Sequence, residues 1–293
     1  MEQNRLKNQN YGNVVFISSC LGALVAKYHS NPYIRKKNQP MKKNSVFILV
    51  LTVMALWSCQ KSGTQQEGTA TSTPNNTLTE EEKVAGWELL FDGKSLDGWK
   101  RYNRDSIGPL WSVKDSTIMC DGTGFTEGTV DVGGSLMTLK SFGNFELSLE
   151  WKISPGGNSG ILYHVVENPK YKHDYETGPE CQVIDDGGWK DKLNENQKAG
   201  SNYGMYAAPA SKKLKPVGEW NAVRLIYNNG HVEHWLNGDK VVEFEEDSDD
   251  YKERFKKSKW VDYPDWNKSK TGPITLQDHG APVYYRSIKV RAL

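Results

Sequence analysis

The chain has 293 residues, a length that suits one large domain or two of ordinary size. Its 37 Lys and Arg residues nearly balance 36 Asp and Glu residues, which argues against nucleic-acid binding through a basic surface. The mean hydropathy of −0.68 excludes a protein built mainly of membrane spans. Ten Trp and 14 Tyr residues beside 27 Gly residues are typical of a β-rich core, a sugar-stacking surface or both.

The N-terminal part of the chain predicts a leader rather than a folded domain. Residues 1–40 hold one short, interrupted apolar run and are interpreted as an extension upstream of the true start, Met41. After Met41 come two lysines, an apolar run and the sequence Leu-Trp-Ser-Cys, which resembles a bacterial lipoprotein signal. We therefore expect a signal peptide at residues 41–58 and a lipid on Cys59. Such an anchor would hold the protein in the cell envelope, on the periplasmic or outer-membrane side.

Residues 59–85 are rich in Ser, Thr, Gln and Asn and predict a flexible tether between the anchor and the domain. Residues 86–293 form the one predicted domain. It contains Cys120 and Cys181, which could form a disulfide in an oxidising compartment or could each be a buried, small apolar residue. No Cys and His spacing in the chain indicates a zinc site.

From residue 86 onward, alternation of apolar and polar residues predicts a succession of β-strands. The clearest is Phe145–Ile153, in which every second residue is apolar. Further strands are predicted at Gly160–Val166, Cys181–Ile184, Ala222–Tyr227, Val232–Leu236, Lys240–Phe244, Ile274–Gln277 and Val283–Arg291. The middle three are joined by Asn-Gly turns and form an antiparallel meander. Strands joined in this way predict an all-β sandwich of two antiparallel sheets.

One short helix and several long loops complete the predicted domain. Ser248 is a suitable helix N-cap, because two aspartates follow it and lysines end the segment. The segments 167–180, 187–217 and 245–272 are long for loops and are expected to form a binding rim. Three tryptophans fall in these segments and are predicted to stack on a sugar: Trp189, Trp260 and Trp266.

Polar side chains at mid-strand positions are the candidate functional residues. They are Glu150, Lys152, His164, Glu180, Gln182, Asp185, His234, Gln277 and His279. Each alone is compatible with the solvated face of an antiparallel sheet. Together they suggest a shared cleft, because buried polar groups are costly unless they are paired or wet. The chain lacks the G-x-S-x-G, phosphate-loop, dinucleotide and H-E-x-x-H motifs, and also the E-x-D-x-x-E strand motif of sandwich glucanases.

Ordered motifs over nearly all of residues 86–293 resemble the 3-keto-disaccharide hydrolase domain family. The resemblance begins with W-E-L-L-F-D-G-K-S-L-D-G-W at Trp87–Trp99. It continues through E-W-K, P-G-G-N-S-G-I, E-C-Q-V-I-D, G-E-W-N, H-W-L-N-G, L-Q-D-H-G and R-S-I-K, in that order. Two positions depart from the pattern of many members: Lys152 replaces an Arg, and Gly187–Lys190 replaces a segment with a His–Asp pair. The second departure concerns substrate choice.

The resemblance implies a concanavalin-A-like jelly-roll sandwich that acts on sugars oxidised at C3, by hydrolysis or by lyase chemistry. A C3 ketone acidifies the proton on C2, so that a general base can remove it and the group on C1 can leave by elimination. Donors aimed at the developing enolate oxygen would stabilise the transition state. Such a substrate also implies a sugar 3-oxidoreductase acting upstream. No nucleic-acid partner is implied.

The residues suggest several assignments of these roles. The base is His279 or His234, with Glu150 and Glu180 as the carboxylate alternatives. Residues expected to bind the ketone and hydroxyls are Lys152, Gln182 and Gln277, with His164, Asp185 and Trp189 as further substrate contacts. No spacing requires a cofactor, although a divalent metal held by carboxylate and imidazole groups could act as the electrophile.

Two other functions remain open at this stage. A lectin-like lipoprotein would use the same sandwich to bind carbohydrate without turnover. A conventional glycosidase would need two suitably spaced carboxylates, which Glu150 and Glu180 provide only if their strands are neighbours.

Overall fold

A computed structural model describes residues 74–122 and 133–293. The predicted leader, signal peptide, lipidated Cys59 and first part of the tether lie outside the described residues. The strands are β1 Glu88–Leu89, β2 Trp99–Arg101, β3 Trp111–Lys114, β4 Thr117–Cys120, β5 Leu136–Thr138, β6 Phe145–Ile153, β7 Asn158–Leu162, β8 Glu180–Ile184, β9 Asn221–Asn228, β10 His231–Leu236, β11 Asp239–Glu245, β12 Thr275–Leu276 and β13 Val283–Ala292. The helices are α1 Glu80–Val84 and α2 Asp249–Lys257. No helix in these described ranges is long and apolar enough to cross a membrane.

The strands form two antiparallel sheets, as predicted. The larger sheet has eight strands in the order β11-β10-β9-β6-β13-β4-β3, with β1 paired to β13 beside β4. The smaller sheet has five strands in the order β2-β5-β12-β7-β8. The meander β9-β10-β11 is confirmed, and its Asn229 and Asn237 turn positions have the positive φ that Asn tolerates.

Alternation along each strand decides which face is buried. In β6, Leu147, Leu149, Trp151 and Ile153 face the core and are at most 3% exposed, while Ser148, Glu150 and Lys152 on the other face are partly exposed. Ile161 and Cys181 of the smaller sheet belong to the same core. The core therefore lies between the two sheets, and each sheet has an outer face that points away from it.

Residues 74–85 pack against the domain, which corrects the predicted extent of the tether. The Asn76 amide donates to the Ser116 carbonyl at 2.8 Å, and its side-chain oxygen accepts from the Ser287 N–H at 2.8 Å. Thr79 caps α1 through a reciprocal bond with Glu82, and Glu82 pairs with Lys289 of β13. The sequence misses this contact because polar residues without an apolar pattern give no sign that the edge of a sheet will bind them.

Helix α2 begins where it was predicted, since the Ser248 hydroxyl accepts from the Tyr251 N–H at 3.1 Å. Cys120 and Cys181 are both free thiols and both fully buried. The two thiols are therefore small core residues, and the alternative of a disulfide between them is wrong.

Candidate active site

The outer face of the smaller sheet, which we call the site face, holds the densest group of predicted site residues. Alternation places Glu180 and Gln182 of β8 on this face, because their neighbours Cys181 and Val183 point into the core. Glu180 lies opposite Leu162, and Gln182 lies opposite Gly160. Both side chains are buried, at 5% and 1% exposure, so the site is recessed.

Gly160 makes the space that the Glu180 carboxylate occupies. A Cβ atom on Gly160 would lie 2.0 Å from Glu180 Oε1 and 2.7 Å from its Cδ. The carboxylate therefore leans from its own position on β8 across to the middle of β7. Gly160 has an ordinary extended backbone, so the absence of a side chain, rather than an unusual φ, is what this position needs.

Two glutamines lie on either side of that carboxylate. Gln182 is paired with Gly160 across β7–β8, and the Gln277 N–H donates to the Gly160 carbonyl at 2.9 Å on the other side. Gln182 Nε2 donates to the Gln197 carbonyl at 3.2 Å, which leaves its second amide hydrogen. The Gln277 side chain forms no hydrogen bond with another described residue, and its amide remains able to bind a ligand.

His279 and Trp189 stand together at one end of the site face. Their ring centroids are 5.5 Å apart with planes at 80°, an edge-to-face contact. Both side chains are partly exposed. His279 follows Gln277 by two residues beyond the end of β12, further from Thr275 along the chain.

Asp185 builds the turn that carries Trp189, which corrects its predicted role in binding substrate. Its carboxylate accepts from the N–H groups of Gly187 at 3.1 Å, Gly188 at 2.9 Å and Gly156 at 2.8 Å. Its carbonyl accepts from the Trp189 N–H at 3.1 Å. A carboxylate with these backbone bonds holds two turns together and has little capacity left for a ligand.

The other end of the site face is covered by the segment 166–178. Tyr175 packs with Leu162 and Met137 of the sheet in a small second cluster. Asp174 is buried and accepts from the Thr275 hydroxyl at 2.6 Å, and burial raises the pKa of its carboxyl group. Glu180, Gln182 and Gln277 therefore lie between this segment and His279.

Glu150 and Lys152 do not belong to this site. They lie on the outer face of the larger sheet, where Glu150 binds Arg286 at 2.8 Å. Lys152 lies over the rings of Trp220 and Tyr284, at 5.0 and 4.5 Å from their centroids. The prediction of a shared cleft is wrong for this pair, because β6 and β8 belong to different sheets. Glu150 and Glu180 therefore cannot form the carboxylate pair of a conventional glycosidase.

His164 and His234 are core residues rather than cleft residues. His164 follows the end of β7 with a positive φ, and its Nε2 lies 2.9 Å from the Gly143 carbonyl within an aromatic cluster. His234 points between the sheets, and its Nδ1 lies 3.1 Å from the Gly200 carbonyl. Burial lowers the pKa of both imidazoles, that of His234 to about 4. Both predictions fail, because alternation on β10 directs His234 inward and the left-handed backbone at His164, beyond the end of β7, breaks the alternation there.

Two of the three loop tryptophans are also structural. Trp260 and Trp266 stack face to face, with centroids 4.7 Å apart, and are 0% and 2% exposed. They fill the space under α2 and cannot stack on a sugar. Trp189 is the remaining candidate for that role.

One group of described residues has the composition of a metal site, but it lies elsewhere. The ligand atoms of His231, Glu233 and Glu243 come within 4.8 Å of one another on β10 and β11 of the larger sheet. The Lys240 ammonium already pairs with Glu233 and Glu243. The described part of the site face offers no comparable group.

Sequence reasoning missed Gly160 and Asp174. The sequence places Gly160 at the start of a predicted strand, yet a glycine within an apolar strand is a signal of close approach by another group. Asp174 gives no such signal, because its burial depends on how the segment 166–178 folds back over the sheet.

A family model described as the 3-keto-alpha-glucoside-1,2-lyase-like domain matches residues 86–291. A curated 3-keto-disaccharide hydrolase from Bacteroides thetaiotaomicron is 34% identical over 229 residues, which cover 71% of this chain and 79% of that protein. The matched region covers the entire site face described above.

Two crystal structures from Parabacteroides distasonis, both designated as glycosyl hydrolases, have the same fold. The first is 43% identical with a TM-score of 0.68, and the match covers 75% of this chain and all of the other. The second is 27% identical with a TM-score of 0.54, and the match covers 71% of this chain and 99% of the other.

Proposed function

Because this chain belongs to the 3-keto-alpha-glucoside-1,2-lyase-like domain family, we propose that it cleaves the glycosidic bond of 3-keto-glycosides, including 3-keto-disaccharides. The observation that carries the proposal is the Glu180 carboxylate, recessed over Gly160 between two glutamine amides. A single carboxylate with neighbouring N–H donors suits proton removal next to a ketone. It does not suit conventional glycoside hydrolysis, which needs a second carboxylate across the scissile bond.

The keto ring lies on the site face with its C2–H toward Glu180. The carboxylate removes this proton, and the electron pair moves to the C3 oxygen as an enolate. The Gln277 amide and the second N–H of Gln182 donate to that oxygen, where charge develops. Burial of these groups strengthens both interactions, because water does not screen them.

Collapse of the enolate forms a C1–C2 double bond and breaks the bond between C1 and the glycosidic oxygen. His279 donates a proton to the departing oxygen and Glu180 retains the proton from C2, so the protein ends the step with its total proton count unchanged. Addition of water across the new double bond gives the free 3-keto sugar, the hydrolase outcome. Release of the unsaturated sugar gives the lyase outcome.

The setting proposed for this enzyme follows from its substrate and its leader. An oxidoreductase that oxidises the C3 hydroxyl of a glycoside must act before it. A lipid on Cys59 would place the domain at a membrane surface in the cell envelope, where small glycosides arrive from outside. Mass analysis of the native N-terminus tests the anchor, and an unmodified chain that retains residues 1–58 would exclude it.

The direct test compares methyl 3-keto-α-glucoside with its unoxidised parent, methyl α-glucoside, in buffered D₂O. We expect release of methanol from the keto sugar alone, and deuterium at C2 of any product that has regained a C2–H. Glu180→Gln should abolish release, since an amide cannot accept the C2 proton. Glu150→Gln is the matched control, because it changes the same type of residue on the other sheet and should retain activity.

Other outcomes would contradict the proposal in distinct ways. Cleavage of the unoxidised parent would show that the ketone is unnecessary and that proton removal at C2 is not the mechanism. Binding of the keto sugar without turnover would show a carbohydrate-binding protein instead.

A further inference from the structure

Trp189 lies at the end of a row of site residues, and their order indicates which sugar ring it would bind. Glu180 and the two glutamines surround the position of the keto ring, and His279 comes next, two residues after Gln277 and beyond the end of β12. The rings of Trp189 and His279 contact each other edge to face. In the proposed reaction His279 protonates the glycosidic oxygen, so a ring bound by Trp189 is the one beyond that oxygen rather than the keto ring.

The turn that holds Trp189 is fixed before any ligand binds. The Asp185 carboxylate accepts from three backbone N–H groups of two adjacent turns, and the Trp189 N–H donates to the Asp185 carbonyl. A Cβ on Gly188 would lie 2.1 Å from Asp185 Oδ2, so only glycine allows this arrangement. A rigid turn lets an aromatic side chain bind a ligand with little loss of conformational entropy.

Trp189 also retains the surface that such a contact needs. It is partly exposed, and its nearest cation, Lys190 Nζ, lies 5.9 Å from its ring centroid, at the outer limit of a cation–π contact. Lys190 is itself exposed and can move aside. Trp260 and Trp266, by contrast, are covered by each other.

We infer that Trp189 is a specificity-determining residue that binds a ring in the leaving group, so that the enzyme prefers 3-keto-disaccharides to 3-keto-glycosides with a small acyclic leaving group. This inference rests on the proposed function, because it needs the keto ring to lie beside Glu180. On this inference, the turn 185–189 selects the leaving group, and the site face selects the oxidised ring.

The test measures kcat/KM for a 3-keto-disaccharide and for methyl 3-keto-α-glucoside in three variants of the full chain. Trp189→Ala should lower the value for the disaccharide about tenfold or more and that for the methyl glycoside less than about threefold. Trp189→Phe should restore most of the disaccharide value. Trp220→Ala, which removes a partly exposed Trp from the outer face of the larger sheet, should change neither.

Equal losses for both substrates in Trp189→Ala would overturn the inference, since they would mean that Trp189 only supports His279. No loss for either substrate would overturn it as well. If wild type cleaves neither substrate, the proposed function is wrong, and the inference about Trp189 is then tested by binding alone. Calorimetric titration of Glu180→Gln with the 3-keto-disaccharide should then give an affinity about tenfold higher than that of Glu180→Gln/Trp189→Ala, and equal affinities would overturn the inference.

Discussion

The sharpest test of the site changes Gly160 rather than any polar residue. In Gly160→Ala, the new Cβ would meet Glu180 Oε1 at 2.0 Å, whereas an ordinary contact is 3.4 Å or more. The carboxylate must therefore move by more than about 1 Å, and misplacement of this size costs about 100-fold in rate. We expect kcat on a 3-keto-glycoside to fall about 100-fold, while KM changes less because the glutamines stay in place.

The stability cost of the same change is modest, because the group that must move is the end of a flexible side chain. Overpacking of this kind costs about 1–3 kcal/mol, so the domain should stay folded with a melting temperature a few degrees lower. Gly143→Ala is the matched control, because its φ is not positive and the nearest atom would be 3.9 Å from the new Cβ. It should retain full activity.

A double variant makes the reasoning specific to Glu180. Shortening the side chain in Glu180→Asp should remove the clash, so Gly160→Ala should cost little further activity in that background. Such non-additivity is expected of groups in direct contact. Full activity of Gly160→Ala would refute the assignment of Glu180 as the base, and additive losses in the double variant would refute the steric explanation.

Three further predictions concern the parts of the domain that support the site. His234 is held neutral in the core with a pKa of about 4, below its ordinary value of 6.5, so its contribution to stability is present above pH 6.5 and is lost as the pH falls toward 4. Between pH 7 and pH 5, the free energy of unfolding measured with urea should fall by about 2 kcal/mol less in His234→Gln than in wild type. Equal decreases in the two proteins would contradict the assignment. Asn76→Ala should lower the free energy of unfolding by about 1–3 kcal/mol, because it removes two hydrogen bonds to part-buried backbone groups, whereas the exposed neighbour change Asn75→Ala should have almost no effect. Burial raises the pKa of both the Cys120 and the Cys181 thiol, so neither should react with iodoacetamide until the domain is unfolded; rapid labelling in the native state would contradict their burial.

The sequence predicts the strands better than it predicts the face that each side chain occupies. Strand β6 has the predicted bounds, because nine alternating residues leave one register that buries the apolar half. The predicted strand Gly160–Val166 begins two residues and ends four residues later than β7, so it includes His164, which follows the strand end. Short strands such as β1 and β12, with two residues each, have too few positions to show any period.

The site could be predicted only in part, because its residues are far apart in the sequence. Gln182, Gly160 and Gln277 are adjacent across three strands but come from separate parts of the sequence, and nothing local specifies that β7 lies between β8 and β12. Glu150 and Lys152 satisfied every local criterion for a site residue and lie on the wrong sheet. Cross-strand pairing, which is decided by the whole fold, separates these two groups.

The segment 166–178 sets a length limit on what can lie along the site face. Tyr175 packs on Leu162 and Met137, and the Asp174–Thr275 bond fixes the segment at that end of the sheet. A polysaccharide bound along the site face could not extend past this segment. In the proposed reaction, this closed end would place the keto ring as the terminal unit of its glycoside.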